Sequence, residues 1–193
     1  MNWNNNKSFA APDPIQREVD LAWELYDAQP SHPEIGRIAA RVLAQEPDRT
    51  GTRLLLAKHL RAVGDQDGAR EILLAIAGQR DRSYVHAARE LRRLEQYEDN
   101  TAQALHWAQE VVKEAPEDAD DLIELGAAIA LTGEVERGWA VMDDGVARTA
   151  STSPDDLGDA YLTQTLVLFQ TFAPPERFIR AAEHAVTVDP SSP

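Results

Sequence analysis

Residues 50–79 read TGTRLLLAKHLRAVGDQDGAREILLAIAGQ, and the reading of this stretch decides the fold. Leu56, Ala57 and Leu60 fall on one face of a first helix. Gly64 and Asp65 interrupt it, because glycine admits the left-handed turn that ends a helix and aspartate favours the start of another. Ala69, Leu73 and Ile76 then recur at helical spacing and form the inner face of a second helix. The stretch predicts an antiparallel helical hairpin.

The same arrangement returns in DDLIELGAAIALTGEVERGWAVMDDG, residues 120–145, where Gly133–Glu134 is the turn. Carried in both directions, the register gives a ladder of large apolar residues, Tyr26, Leu60, Leu94, Ile129 and Phe169, at intervals of 34, 34, 35 and 40. Two further ladders lie on the second helices. One is Ala39, Leu73, Ala108, Met142 and Ala182; the other is Val42, Ile76, Val111, Gly145 and Ala185. Only Gly145 among the fifteen positions is not hydrophobic, although hydrophobic residues make up 43% of the chain. A period near 34 residues carried by helical pairs is the mark of a repeat architecture.

These residues resemble the tetratricopeptide repeat, most closely in the fourth repeat with Leu122, Leu125, Gly126, Ile129, Gly133 and Gly138. Pro47, Pro116 and Pro190 stand at the family's closing position, where proline stops the second helix. The resemblance implies an all-α fold, a right-handed α-solenoid of about five hairpins covering residues 15–190. The expected hairpins are 15–46, 50–79, 83–115, 118–149 and 154–189, preceded by a flexible arm, 1–14, that carries Trp3 and Phe9. Between hairpins four and five, ARTASTSPDDLG reads as a lengthened connection or as an extended helix start at Pro154.

Composition narrows the function. There are 19 basic and 33 acidic residues, a formal charge of −14, which argues against nucleic acid and anionic membrane as partners. With no cysteine, thiolate chemistry and disulfides are excluded. No apolar run suggests a signal segment or a membrane span, so a cytoplasmic location is expected. Arginine and alanine are favoured over lysine, a composition that leans towards a bacterial source. The five histidines have no metal-motif spacing, and GxGxxG, GxxxxGK[ST] and GxSxG are missing, so neither cofactor, metal nor catalysis is expected.

By the resemblance, first helices line a concave groove that holds a partner peptide or helix. Lys58, Arg61, Arg89 and Arg92 form a basic group in that groove, suited to a carboxylate or an acidic segment. The bland alternative is that neighbouring carboxylates neutralise them. Ile123, Ala127, Leu131 and Val167 form an apolar stretch expected to anchor the partner. The clamp by which some co-chaperones of the family hold a terminal carboxylate is not matched: its positions carry Asp20, Glu24, Leu55, Val85 and Arg89. At the C-terminal end, Phe178, Ile179, Ala182 and Val186 cover more than one stripe and form a candidate oligomer face, for instance of a homodimer. The expected function is a non-catalytic protein-interaction module. Its alternatives are a chaperone for a secreted or assembling subunit and a structural protein that assembles through its C-terminal repeat.

Overall fold

A computed structural model describes residues 13–188, which form ten α-helices, one short 3-10 turn and no strand. Trp3 and Phe9 lie outside the described residues. The helices are α1 Pro14–Ala28, α2 Pro33–Gln45, α3 Thr50–Val63, α4 Gln66–Ala77 and α5 Tyr84–Tyr97. They continue as α6 Thr101–Glu114, α7 Ala119–Leu131, α8 Val135–Thr152, α9 Leu157–Gln170 and α10 Pro175–Val188. The chain divides into two compact units, Met1–Ile76 and Ala77–Pro193, with the division at the end of α4.

Local chemistry sets the helix ends. Asp13 accepts a hydrogen bond from the backbone N–H of Ile15 at 3.1 Å, and Pro14 occupies the first helical position, where no donor is lost. Asp118 caps α7 by accepting from the N–H of Asp121 at 3.1 Å. The hairpin turns use the left-handed region: Gly64 has φ 91° and Gly133 φ 101°. Asp99 after α5 and Phe172 after α9 adopt the same conformation without glycine's freedom, at φ 58° and 54°.

In the first unit α3 packs on the α1–α2 hairpin. Val19, Ala22, Ile35, Ile38, Val42 and Leu55 form its core, with Trp23 and Tyr26 half-buried beside them. His59 is buried there too, its Nδ1 2.9 Å from the carbonyl oxygen of Pro30. Gly36 runs against this ring: a Cβ at that position would lie 3.2 Å from Nε2 of His59.

The second unit stacks three hairpins. α7 packs on α6 and pairs with α8, and α9 sits on both helices of the α7–α8 hairpin. α7 and α8 cross closely because glycines face the contact. A Cβ on Gly138 would lie 2.4 Å from the Ala130 nitrogen and 2.5 Å from the Gly126 oxygen. Ile123, Ala127, Trp139, Met142, Val167 and Leu168 are among the residues that fill the core. The Trp139 indole donates to the Thr171 hydroxyl at 3.0 Å, and the Arg177 guanidinium lies 4.9 Å from its ring centre.

Three details depart from the sequence pattern. α8 does not end near residue 149 but runs to Thr152. Thr149, Ser151 and Thr152 each turn a hydroxyl back onto the carbonyl four residues earlier, so a loop-like composition is accommodated within a helix. In the fifth hairpin the ladder holds at Ala185, which is buried, and fails at Phe169 and Ala182. Leu168 and Ala181 take the buried places, while Phe169 is 70% exposed and Ala182 only half-buried.

Candidate binding clefts of the second unit

The residues expected to form one basic patch fall in different units. Lys58 and Arg61 lie on α3 of the first unit. Lys58 Nζ sits 5.1 Å from the centre of the Tyr26 ring and 5.5 Å from that of Trp23, whose rings meet edge to face. Its charge is engaged by a cation–π contact rather than presented alone. Arg61 is half-buried.

Arg89 and Arg92 lie one turn apart on α5 of the second unit, and both are neutralised internally. Arg89 Nε donates to the two Asp121 oxygens at 2.9 and 3.1 Å, and its Nη2 donates to Asp118 at 2.7 Å. The bonds to Asp121 are the first cause of an Arg89 pKa above the ordinary value, against the opposing effect of burial. Arg92 is 3% exposed and donates to Gln96 at 2.9 Å and to Glu124. Burial lowers its pKa, and the Glu124 carboxylate opposes that shift. These two guanidinium groups already hold carboxylates, which is the bland alternative for this half of the basic group. The spacing carried the signal: Arg89 and Arg92 are three apart, Asp121 and Glu124 are three apart, and both pairs are separated by 32 residues.

The same side chains wall a cleft of about 300 Å³ between α5, α7 and the start of α9. Arg89, Arg92 and Arg93 face six carboxylates there: Asp118, Asp120, Asp121, Glu124, Asp156 and Asp159. The surplus is negative. Asp120 registers it: burial first, then Asp118, Asp156, Asp121 and Glu124, raises its pKa above the ordinary aspartate value. Among the described residues no group of three or more acidic or histidine side chains is placed to hold a metal ion.

A second cleft, of about 320 Å³, adjoins the first and shares Glu124 and Thr163 with it. Ala127, Leu131, Leu166 and Val167 give it an apolar floor, and Gln96 and Gln170 stand at its polar edge. The expected apolar anchors thus separate. Ile123, Ala127 and Val167 are 2–5% exposed and belong to the core, so they offer little surface. Leu131 is half-buried and Leu166, outside the expected set of anchors, is 56% exposed.

At the far end of the unit, Phe178 is half-buried against Phe169, with ring centres 6.1 Å apart. Ile179 and Val186 are 51% and 60% exposed, while Ala182 is half-buried. Phe172 is 94% exposed.

Paired antiparallel helices repeated in this order define an all-α fold of the tetratricopeptide type. Solved structures with the same fold include MamA from Desulfovibrio magneticus RS-1, at 18% identity and TM-score 0.66, covering 93% of this chain and 95% of that one. A Podosopora anserina kinesin light chain with nearly identical TPR-like repeats matches at 18% identity and TM-score 0.69, over 92% and 97% of the two chains. No family model matches the sequence, and no curated protein matches it significantly. No helix among the described residues is long and apolar enough to cross a membrane.

Proposed function

We propose that this chain is a non-catalytic protein-interaction module, set in the cytoplasm, that holds a peptide or helix along the adjoining clefts of α5, α7 and α9. One observation carries the proposal: an acidic cleft and an apolar cleft share Glu124 and Thr163, and so form one continuous path. The partner that fits is basic at one end and apolar at the other. A lysine or arginine would sit among Asp120, Asp156 and Asp159, and an aliphatic side chain beside Leu131 and Leu166. Burying a partner's cation beside carboxylates whose mutual repulsion it relieves favours binding and sets the register. This replaces the acidic partner that the arginines alone suggested.

The test is affinity capture from a source-cell lysate, followed by measurement of the captured partner's purified binding segment. Wild type would be compared with Asp120→Asn/Asp159→Asn and with Leu131→Glu/Leu166→Glu. Loss of about tenfold or more in affinity for each variant supports the clefts as the site, since hot-spot residues contribute on that scale. Undiminished binding by both variants would remove them as the site. Concentration-dependent mass without any captured partner would favour a self-assembling protein instead.

A further inference from the structure

Each hairpin of the second unit offers its outer side to the next first helix, as α9 shows by resting on both α7 and α8. The corresponding side of the α9–α10 hairpin bears Phe169, Ile179 and Val186, which are 70%, 51% and 60% exposed, with Phe172 at its turn. The Phe169–Phe178 ring contact ties α9 to α10 beside these residues. Phe169 and Phe172 alone offer roughly 300 Å², taking about 200 Å² per ring. That is already of the order of the largest apolar patch on a typical monomer.

Phe172 gives a second, independent sign. At the turns after α3 and α7 the left-handed residue is glycine, and after α5 it is aspartate, which tolerates that conformation. After α9 it is a phenylalanine at φ 54°, with its ring 94% exposed. At that exposure, packing among the described residues does little to compensate for a bulky side chain in that conformation. Strain of this kind, held at an exposed aromatic, points to a use outside the fold.

We propose that the outer side of the α9–α10 hairpin is a seat for an amphipathic helix of a different protein, one with an apolar stripe and basic flanks. Charge selects this occupant. The second unit has 10 basic and 22 acidic residues, a net 10 − 22 = −12, so a second copy would bring another −12 against it. Along α10 beside the stripe, Glu176 and Glu183 outnumber Arg180, and a helix with lysine or arginine beside its stripe complements them. This seat is separate from the clefts between α5, α7 and α9.

The probe is a synthetic amphipathic helix with one leucine stripe and lysine flanks, labelled for fluorescence anisotropy, beside a twin with glutamate for lysine. The lysine helix should bind wild type more tightly than its twin. It should bind Ile179→Asp/Val186→Asp roughly tenfold more weakly. That substitution adds two negative charges, so purely electrostatic adhesion would strengthen instead, and equal or tighter binding overturns the proposal. Asp120→Asn/Asp159→Asn should change binding little; a loss confined to this variant places the helix in the acidic cleft and removes the seat. Phe172→Gly should weaken binding several-fold while raising Tm, and it gives an answer even where the double aspartate variant fails to fold. Unchanged binding by Phe172→Gly overturns the proposal. A wild-type mass that doubles with concentration, and does not in Ile179→Asp/Val186→Asp, makes the occupant a second copy and overturns the assignment.

Discussion

The two units have almost the same number of basic residues, nine and ten, but eleven acidic residues in the first and twenty-two in the second. The first unit is close to neutral and carries ion pairs between exposed side chains: Arg41 with Glu18 at 3.0 Å, Arg37 with Glu34 at 3.1 Å. The second buries Glu90, Arg92, Glu95 and Asp121, and still has carboxylates to spare around its cleft. Their packing differs as well. The first closes on branched aliphatics and a buried histidine, whereas α7 and α8 of the second meet through glycine. One helical hairpin can therefore be built on different chemistry, and the chemistry decides what its surface can hold.

The sharpest way to break this contrast is at the glycines. Gly138→Ala drives a methyl group into backbone atoms of α7 and should cost about 3 kcal/mol, read as a fall in the urea midpoint. Gly36→Ala meets only the edge of the His59 ring, and the helical advantage of alanine, about 1 kcal/mol, offsets that squeeze. Its net effect should stay within about 1 kcal/mol of zero. Equal losses at both sites would mean that the units are packed alike.

Next come the ion pairs. Arg92→Met strands Glu124, whose side chain keeps 30% exposure, and should cost about 2 kcal/mol, less than a fully buried pair. Arg41→Met in the first unit breaks a pair with side-chain exposures of 52% and 39% and should cost about 0.5 kcal/mol or less. Denaturant melts of both variants at low and high salt sharpen the contrast, because only the exposed pair should weaken appreciably with salt.

The smallest effect expected is at Asp120. A carboxyl whose pKa is raised on folding binds its proton more tightly in the folded chain than in the unfolded one. Its contribution to stability is present at low pH and is lost as pH rises through the raised value. Asp120→Asn should therefore raise Tm slightly at pH 7 and leave it unchanged well below the ordinary aspartate pKa. A lower Tm at pH 7 would show that the acidic surplus of the cleft is balanced by groups other than its arginines.

Much of the fold was legible because its signals are local or periodic. Gly64 and Gly133 mark turns by what only glycine does easily, and Leu73, Ile76, Val111 and Met142 repeat because each second helix buries the same side. The end of α8 was harder to place, because it is composed like a loop but bonds like a helix. The clefts were harder to read. A basic patch and a pair of buried ion pairs have the same composition, and only the matched spacing of Arg89 with Asp121 and Arg92 with Glu124 tells them apart. Ile123 and Val167 are apolar whether they face a partner or the core, so their letters could not say which. Phe172 is apolar whether it covers the C-terminal face or stands clear of it, and its letter carries neither its exposure nor its backbone angle.

The close crossing of α7 and α8 also bears on ancestry. Ladder positions accept any apolar residue of fitting size, so they drift, and chains that share this fold at 18% identity keep little else in common. Gly126, Gly138 and Gly145 have no such freedom, because a methyl group at each would come within 3 Å of neighbouring atoms. A glycine, another twelve residues on and a third seven further is thus a signature that drift cannot blur while the crossing is kept. Sequences carrying it within a helical pair are where descendants of the same ancestral hairpin should be sought.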